Sequence, residues 1–265
     1  MRNSSRRPSM SKAAELAALI GSGQAQGNKN LIINGAMNVA QRGTVTGVTN
    51  GVYGGPDRYV ITENNDLVVT LSQDTDVPTG SGFLNSMKVD VTTADSSTAA
   101  GEYGFLGHRF EGQNLQRLKK GTSNAESVTL SFWVKSTITG TYIIQLYDND
   151  NGRHICKSYT VSSSNTWEFK TLTFAGDTTG AFDDDNAHSL QVYWWLVAGS
   201  TYTSGTLATS WASFTSANAA VGQVNAVNST DNNFYLTGVQ LEIGDVATPF
   251  EHEDIGTTLR KCQRY

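Results

Sequence analysis

The chain is poor in the residues that staple a protein, charge it strongly or carry it across a membrane. Only Cys156 and Cys262 are cysteines among 265 residues, too few for a disulfide framework, so folding in a reducing cytoplasm is adequate. Lysine and glutamate are scarce and charged residues make up 16% of the chain. With Gly, Ser, Thr and Asn abundant, that balance argues against a helical bundle and for many short strands joined by turns. The apolar run from Ala13 to Ile20 is broken by Glu15 and is far shorter than a membrane span or a good signal-peptide core. Neither membrane insertion nor secretion is expected.

Positive charge is lacking over most of the molecule. The formal charge is −5, yet residues 1–29 hold Arg2, Arg6, Arg7, Lys12 and Lys29 against Glu15 alone, a local +4 that leaves −9 for the remainder. An acidic body has no broad basic face to neutralise phosphates, so nucleic-acid binding is not expected of it. The signatures of catalysis are missing too. His108, His154, His188 and His252 are scattered without the close pairing of a zinc site. There is no nucleophile elbow, no phosphate-cradling glycine loop and no Cys/His nucleophile pattern. Asp183, Asp184 and Asp185 are adjacent acids in a turn, which point in different directions and suit water better than the paired carboxylates of a glycosidase. "YDNDNG" opens like a calcium loop, but Tyr159 stands where the twelfth-position Glu belongs. No enzyme activity, metal or cofactor is expected.

What is present is alternation. "VTLSFWVKS" places Val128, Leu130, Phe132 and Val134 on one face and Thr129, Ser131, Trp133 and Lys135 on the other, the pattern of a half-buried strand. "TYIIQLYDNDNGRHICKSYTV" reads as a hairpin turning from Asp148 to Gly152. "NLIING", "DRYVIT", "DLVVTLSQ", "NSMKVDV", "YGFLGHRFEG", "TWEFKTLTF", "SLQVYWWLVAG" and the stretch from Asn233 to Ile243 bring the total to about ten strands, with no βαβ alternation. An all-β fold of two facing antiparallel sheets, a sandwich or jelly roll, accommodates them. Before it, "SMSKAAELAALIGSG" predicts a short helix with the stripe Ala13, Leu16, Leu19 and Ile20, followed by a Gly/Gln/Asn linker. So short a helix is marginal alone and is expected to dock, either on its own domain or, as the flexible linker favours, on another protein.

Three local features carry functional expectations. Trp194 and Trp195 are neighbours in a strand, so they face opposite sheet surfaces, and one ring is expected near a surface or an interface, exposed there or covered by a loop or a neighbouring subunit. The stretch from Ala198 to Thr230, with Trp211 and Phe214 as its bulky anchors, predicts a long functional or interface-forming loop. In the last strand, strict alternation puts Tyr235, Thr237, Val239, Leu241 and Ile243 on one face, with Phe234, Leu236, Gly238, Gln240 and Glu242 on the other.

The segments "NLIINGAMNVAQRGT", "PDRYVI", "HRFEGQNLQRLKKGTSNAESVTLSFWVKS", "GTYIIQLYD", "TWEFKTLTF" and "FYLTGVQLEIGDVATPFEH" through "TTLRKCQRY" resemble, in that order, the jelly-roll domain of bacteriophage tail-fibre and minor structural proteins, a domain that looks like carbohydrate-binding modules. The resemblance spans residues 29–265. It implies a non-enzymatic virion component assembled in the host cytoplasm, usually a homotrimer. Residues 1–28 would form the anchor to other virion proteins through Arg6, Arg7, Leu16, Leu19 and Ile20. It further implies attachment to a host-surface glycan, for which Trp195 and Trp211 are the expected binding rings. No coiled-coil or β-helical stalk and no extra tip domain are evident, which favours a stubby fibre or head appendage, with a capsid decoration protein that binds no sugar as the alternative. Gln240 and Glu242 are expected to tie the final strand to neighbouring loops or to a structural cation.

Overall fold

The computed structural model describes residues 28–264 apart from residue 65; the expected N-terminal helix and the anchor residues Arg6, Arg7, Leu16, Leu19 and Ile20 lie outside the described residues. Two antiparallel sheets face each other. The first contains β1 (Val45–Val48), β4 (Val68–Asp74), β5 (Ser86–Thr93), β7 (Val128–Ser136), β10 (Glu168–Phe174) and β13 (Asn233–Ile243), in the spatial order β1-β4-β5-β13-β7-β10. The second contains β2 (Val52–Tyr53), β3 (Tyr59–Glu63), β6 (Tyr103–Glu111), β8 (Gly140–Asp148), β9 (Arg153–Val161), β11 (His188–Ala198) and β12 (Ala212–Ser213), in the order β12-β9-β8-β11-β6-β3-β2. The chain passes repeatedly between the layers. This is the expected all-β jelly-roll sandwich.

Alternation accounts for the core. Val128, Leu130, Phe132 and Val134 of β7 meet Tyr142, Ile144 and Leu146 of β8 and Trp194 of β11 in one continuous cluster, each side chain 5% exposed or less. The hairpin of β8 and β9 turns where the sequence placed it, pairing Asp148 with Arg153. Thirteen strands form among the described residues rather than about ten; β1, β2 and β12 have four residues or fewer, too short for a periodicity to register. The C-terminal helix, α2 (Ile255–Cys262), was also not anticipated, although Asp254 caps it by accepting from the backbone N–H groups of Gly256 and Thr257. A shorter helix, α1 (Ser200–Thr203), lies in the long loop.

Two expectations are corrected. "NLIING" is not a strand. It lies along β13, with Leu31 N–H donating to the Leu241 carbonyl (2.8 Å) and Val239 N–H to that of Gly35 (2.9 Å). Asn30 interrupts the ladder: its side chain accepts from Leu241 N–H at 3.0 Å and donates to the Val239 carbonyl at 3.1 Å. Asn34 and Met37 then turn the chain at positive φ. The second correction concerns β13, whose strict alternation fails at Gly238. That residue has φ +60°, and the register against β7 slips between Thr237 and Gln240. A bulge inserts one residue and exchanges the faces beyond it. Phe234 and Leu236 therefore point into the core before the bulge and Val239 and Leu241 after it. Only glycine fits there, because an added Cβ would lie 2.6 Å from the Phe83 ring.

The bulge also decides where Gln240 and Glu242 go. Both are buried, at 0% and 3% exposure. Glu242 accepts from Thr248 N–H (2.8 Å) and Thr248 Oγ1 (2.6 Å), while Gln240 donates to Glu242 and to the Thr248 carbonyl and accepts from Glu251 N–H (2.8 Å). They tie the last strand to the segment that leads into α2, as the loop-tying expectation had it.

Candidate functional site

The outer surface of the seven-stranded sheet is one of two places where the fold leaves aromatic rings without a second sheet; the other, on the six-stranded sheet, holds Trp133 and Phe169 at 5.3 Å. Register sets which residues share it. Tyr193 of β11 lies between Gln145 of β8 and Gly107 of β6, and Trp195 lies opposite Phe105. In the next row Gln191 lies between Tyr147 and Arg109. All of these point away from the core that Trp194 and Leu106 occupy on the opposite face. Gly107 carries no side chain beside Tyr193, and the space there would take a Cβ at ordinary contact distance, 3.4 Å from Val60 and 3.6 Å from Tyr193.

The rings form a continuous ledge. Phe105 and Tyr193 stack at 4.0 Å with 26° between planes, and Tyr193 and Tyr147 are offset by 6.2 Å at 18°. Phe214 meets Tyr147 edge-on at 5.3 Å, and Tyr202 closes the other end against Tyr103 at 5.3 Å. Together with Gln145 and Ser216 they line a depression of about 200 Å³. Tyr193 and Tyr147 are half-buried, and Phe214 is 38% exposed. Below them Trp195 Nε1 donates to Gln145 Oε1 at 3.1 Å, and Gln145 Nε2 is 3.1 Å from His154 Nδ1. Burial pushes the Tyr193 phenol and the Cys156 thiol well up and the His154 imidazole down. Neutral, hydrogen-bonding, ring-lined surface of this kind is suited to a polar ligand with apolar faces.

The long loop holds the ledge in place. Cys156 N–H donates to the Ala208 carbonyl (2.7 Å), Ala220 N–H to Tyr202 (2.9 Å) and Phe214 N–H to Gly152 (2.8 Å). Ala219 and Ala220 pack with Trp195, Phe105 and Ile143 in a cluster separate from the main core. The opposite facing of Trp194 and Trp195 is thus as expected, but Trp195 is 2% exposed. It is the floor beneath the ledge, not a solvent-facing ring, because the chain's own loop covers it.

Trp211 lies elsewhere, and the fold does not bring it to Trp195. Its Nε1 donates to the Ala175 carbonyl at 2.7 Å, and its ring lies 5.6 Å from Lys120 Nζ. Lys120 is the centre of a buried ionic knot. Its ammonium is 2.5 Å from Asp148 and 3.2 Å from Asp177, and Arg153 pairs with Asp177 at 2.7 Å. The "YDNDNG" turn therefore places Asp148 at an internal lysine. Asp183, Asp184 and Asp185 are exposed. No group of three or more His, Cys, Asp or Glu side chains arranged to hold a metal occurs among the described residues. The residues missed by sequence reasoning are Tyr193, Tyr147, Phe105 and Tyr202. Alternation alone gives the outward-facing set of β6, β8 and β11, but the pairing of those strands is needed to see one ledge.

No protein-family model and no curated protein matches this chain. Similar solved structures include the enzymatically active domain of tailspike protein 4 of bacteriophage CBA120 (16% identity, TM-score 0.44), matched over 82% of this chain and 22% of that one. A putative sugar-binding protein of Bacteroides thetaiotaomicron (15%, TM-score 0.42) is matched over 81% of this chain and 100% of its own. The family 11 carbohydrate-binding module of a cellulosomal cellulase of Clostridium thermocellum (14%, TM-score 0.37) is matched over 82% and 100%. At these identities and TM-scores no residue role or ligand passes from them to this chain.

Proposed function

We propose that the protein is a non-enzymatic glycan-binding module whose site is the aromatic ledge on the outer face of the seven-stranded sheet. The observation that carries this reading is the run of near-parallel rings, Phe105, Tyr193 and Tyr147, of which Tyr193 and Tyr147 are half-buried and line a depression with Ser216, over the buried Phe105 and Gln145. Ring faces stack on the C–H side of a sugar, and amide and hydroxyl groups orient its hydroxyls. A shallow ledge desolvates little of a hydrophilic ligand, so single-site affinity is on the order of millimolar to high micromolar.

Weak sites serve attachment when many copies act together. The finer part of the proposal rests on the sequence resemblance to phage fibre and minor structural proteins: a homotrimeric virion component, assembled in the host cytoplasm, held to the particle by its N-terminal arm and presenting the ledge to a host surface. The covering of Trp195 by the chain's own loop removes the need for a neighbouring subunit at that ring, so trimerisation stands on the resemblance alone. Two measurements test the reading. Protein clustered on beads is probed against a glycan array and host-cell polysaccharide, where Tyr193→Ala should lower the signal at least tenfold while the far-ultraviolet dichroism is unchanged. Light scattering on the full chain should report three copies. A clustered protein that ignores every glycan and every host surface would leave shell decoration as its role.

A further inference from the structure

Resting on the ledge as a saccharide site, we propose that its ligand is acidic: a carboxylate-bearing glycan, of the uronic or sialic type, whose carboxylate is taken by Arg109 and Arg42 at the edge of the ledge. A second depression of about 250 Å³ opens on the same sheet face, lined by Arg42, Arg58, Arg109, Tyr53 and His188 among others. Arg109 joins the two. It is opposite Gln191 in the β6–β11 register and therefore diagonal to Tyr193, a separation of about 7–8 Å between backbones that a guanidinium readily spans. Tyr147, two strands away in the same row, is about 10 Å across the sheet from Arg109. A ligand stacked on Tyr193 and Tyr147 has its edge at the arginine.

The charges there are short of an anion. The guanidinium carbons of Arg42 and Arg109 lie 5.9 and 6.0 Å from the centre of the same Tyr53 ring. Arg58 donates to the Arg109 carbonyl at 3.4 Å from a backbone at φ +79°, a conformation that favours glycine. The nearby carboxylates are already engaged. Asp57 accepts from the Gln41 backbone and side chain and is 3.9 Å from Arg42. Glu111 is bound by Gln113 at 2.6 Å and by Arg264 at 3.0 Å. Arg109 has no carboxylate within ion-pair distance among the described residues; its Nη1 donates to the Tyr53 hydroxyl at 3.4 Å, and its buried Nε has no hydrogen-bond partner. Burial and then the Arg109 charge hold His188 below its ordinary value, with Asp150 acting the other way. Clustered guanidinium groups, with Arg109 outside any ion pair among the described residues, beside a sugar-sized, ring-lined ledge match a planar carboxylate carried on a saccharide.

The test uses the full chain and an array that pairs uronic- and sialic-acid oligosaccharides with the carboxyl-reduced form of each, with sulfated oligosaccharides, acetate and inorganic phosphate as further arms. The acidic members should bind about tenfold or more tightly than their reduced partners. Arg109→Gln should erase that difference while leaving the reduced forms bound as before, and Arg109→Lys should restore only part of it. Tyr193→Ala should weaken acidic and reduced members alike. Because the carboxyl-reduction arm uses the wild-type protein, it decides the matter even if an arginine variant misfolds, and Arg42→Gln supplies a second variant. Equal binding of acidic and reduced forms, or preference for sulfated over carboxylated members, would overturn the carboxylate proposal and leave the ledge intact. Binding of acetate or phosphate without any saccharide would overturn it in favour of a small-anion site. If Tyr193→Ala has no effect on binding while Arg109→Gln abolishes it, the ledge reading fails instead; if no saccharide binds at all, both fail.

Discussion

Two tryptophans that look alike in the sequence, Trp195 and Trp211, ended in regions with opposite characters. Around Trp195 there is no charge pair: an indole N–H, an amide and an imidazole share hydrogen bonds under a layer of rings that still faces water. Around Trp211 there are four charges, Lys120, Asp148, Asp177 and Arg153, two of each sign and, save for part of Arg153, buried. Lys120 is further satisfied by the carbonyls of Thr179 (2.9 Å) and Gly180 (2.6 Å) and lies 5.1 Å from the Phe182 ring. The first region keeps a concavity; the second fills it. An aromatic residue beside a loop is thus a binding candidate only when its neighbours do not close over it in paired, buried charges, which is a property of packing and not of composition.

The sharpest way to break the comparison is to remove one charge from the knot. Asp148→Ala strips a buried lysine of its nearest partner, and an uncompensated buried charge costs about 3–5 kcal/mol. Urea unfolding should show that loss in the midpoint, while bead-clustered protein that remains folded keeps its glycan signal. A midpoint within about 1 kcal/mol of wild type would mean the knot is wetter than its burial indicates. On the ledge the ranking reverses: Tyr193→Ala should abolish most binding at a smaller cost in stability, because the ring is half-buried and covers an already packed floor. If stability falls as far as in Asp148→Ala, the ledge is core and the two regions are not different in kind.

Acid separates the regions by pH window. His154, under the ledge, is held below its ordinary value by burial, so its neutral form supports the fold. That stability is complete above the unfolded value of about 6.5 and is lost as pH falls toward the lower folded value. For Asp177, burial alone would raise the carboxyl, but Arg153, the Thr179 N–H and Lys120 outweigh it and hold it below the ordinary value. Its contribution is complete above about 3.9 and is lost as pH falls through the depressed folded value. Denaturation followed from pH 8 to pH 2 should therefore weaken in two steps, and Asp177→Asn should flatten only the lower one. A single step unaffected by that substitution would show that neither region governs acid unfolding.

The strands were legible because half-buried β structure writes itself as period-two alternation, and β7, β8 and β9 carry it without interruption. What failed to show did so for specific reasons. Gly238 reverses the faces of β13 from inside the strand, and an isolated glycine there is the one sequence signal of it. Asn30 breaks the ladder with a side chain that imitates backbone. The ledge needs β6, β8 and β11 side by side, although they are separated in sequence by β7 and by β9 with β10. Trp195 was visible as an outward ring; that Ala219, Ala220 and Tyr202 would cover it was not, because small residues in a long loop look the same whether they pack or drift.

The smallest expected effect is at Trp211, and it discriminates best between the two readings of that residue. Trp211→Phe keeps a ring near Lys120 but removes the indole N–H that donates to the Ala175 carbonyl at 2.7 Å. The loss of one hydrogen bond and part of one cation–π contact predicts about 0.5–1.5 kcal/mol of destabilisation. Glycan binding by the same variant should match wild type, since Trp211 lines a space of only about 20 Å³ beside Lys120 and not the ledge. The clean comparison is Trp195→Phe, which removes the N–H that Gln145 accepts and lets that amide turn in the floor of the ledge. It should lose comparable stability yet also shift binding. Equal binding losses in both variants would place Trp211 at the sugar after all and would require the loop from Ala198 to Thr230 to rearrange when ligand arrives.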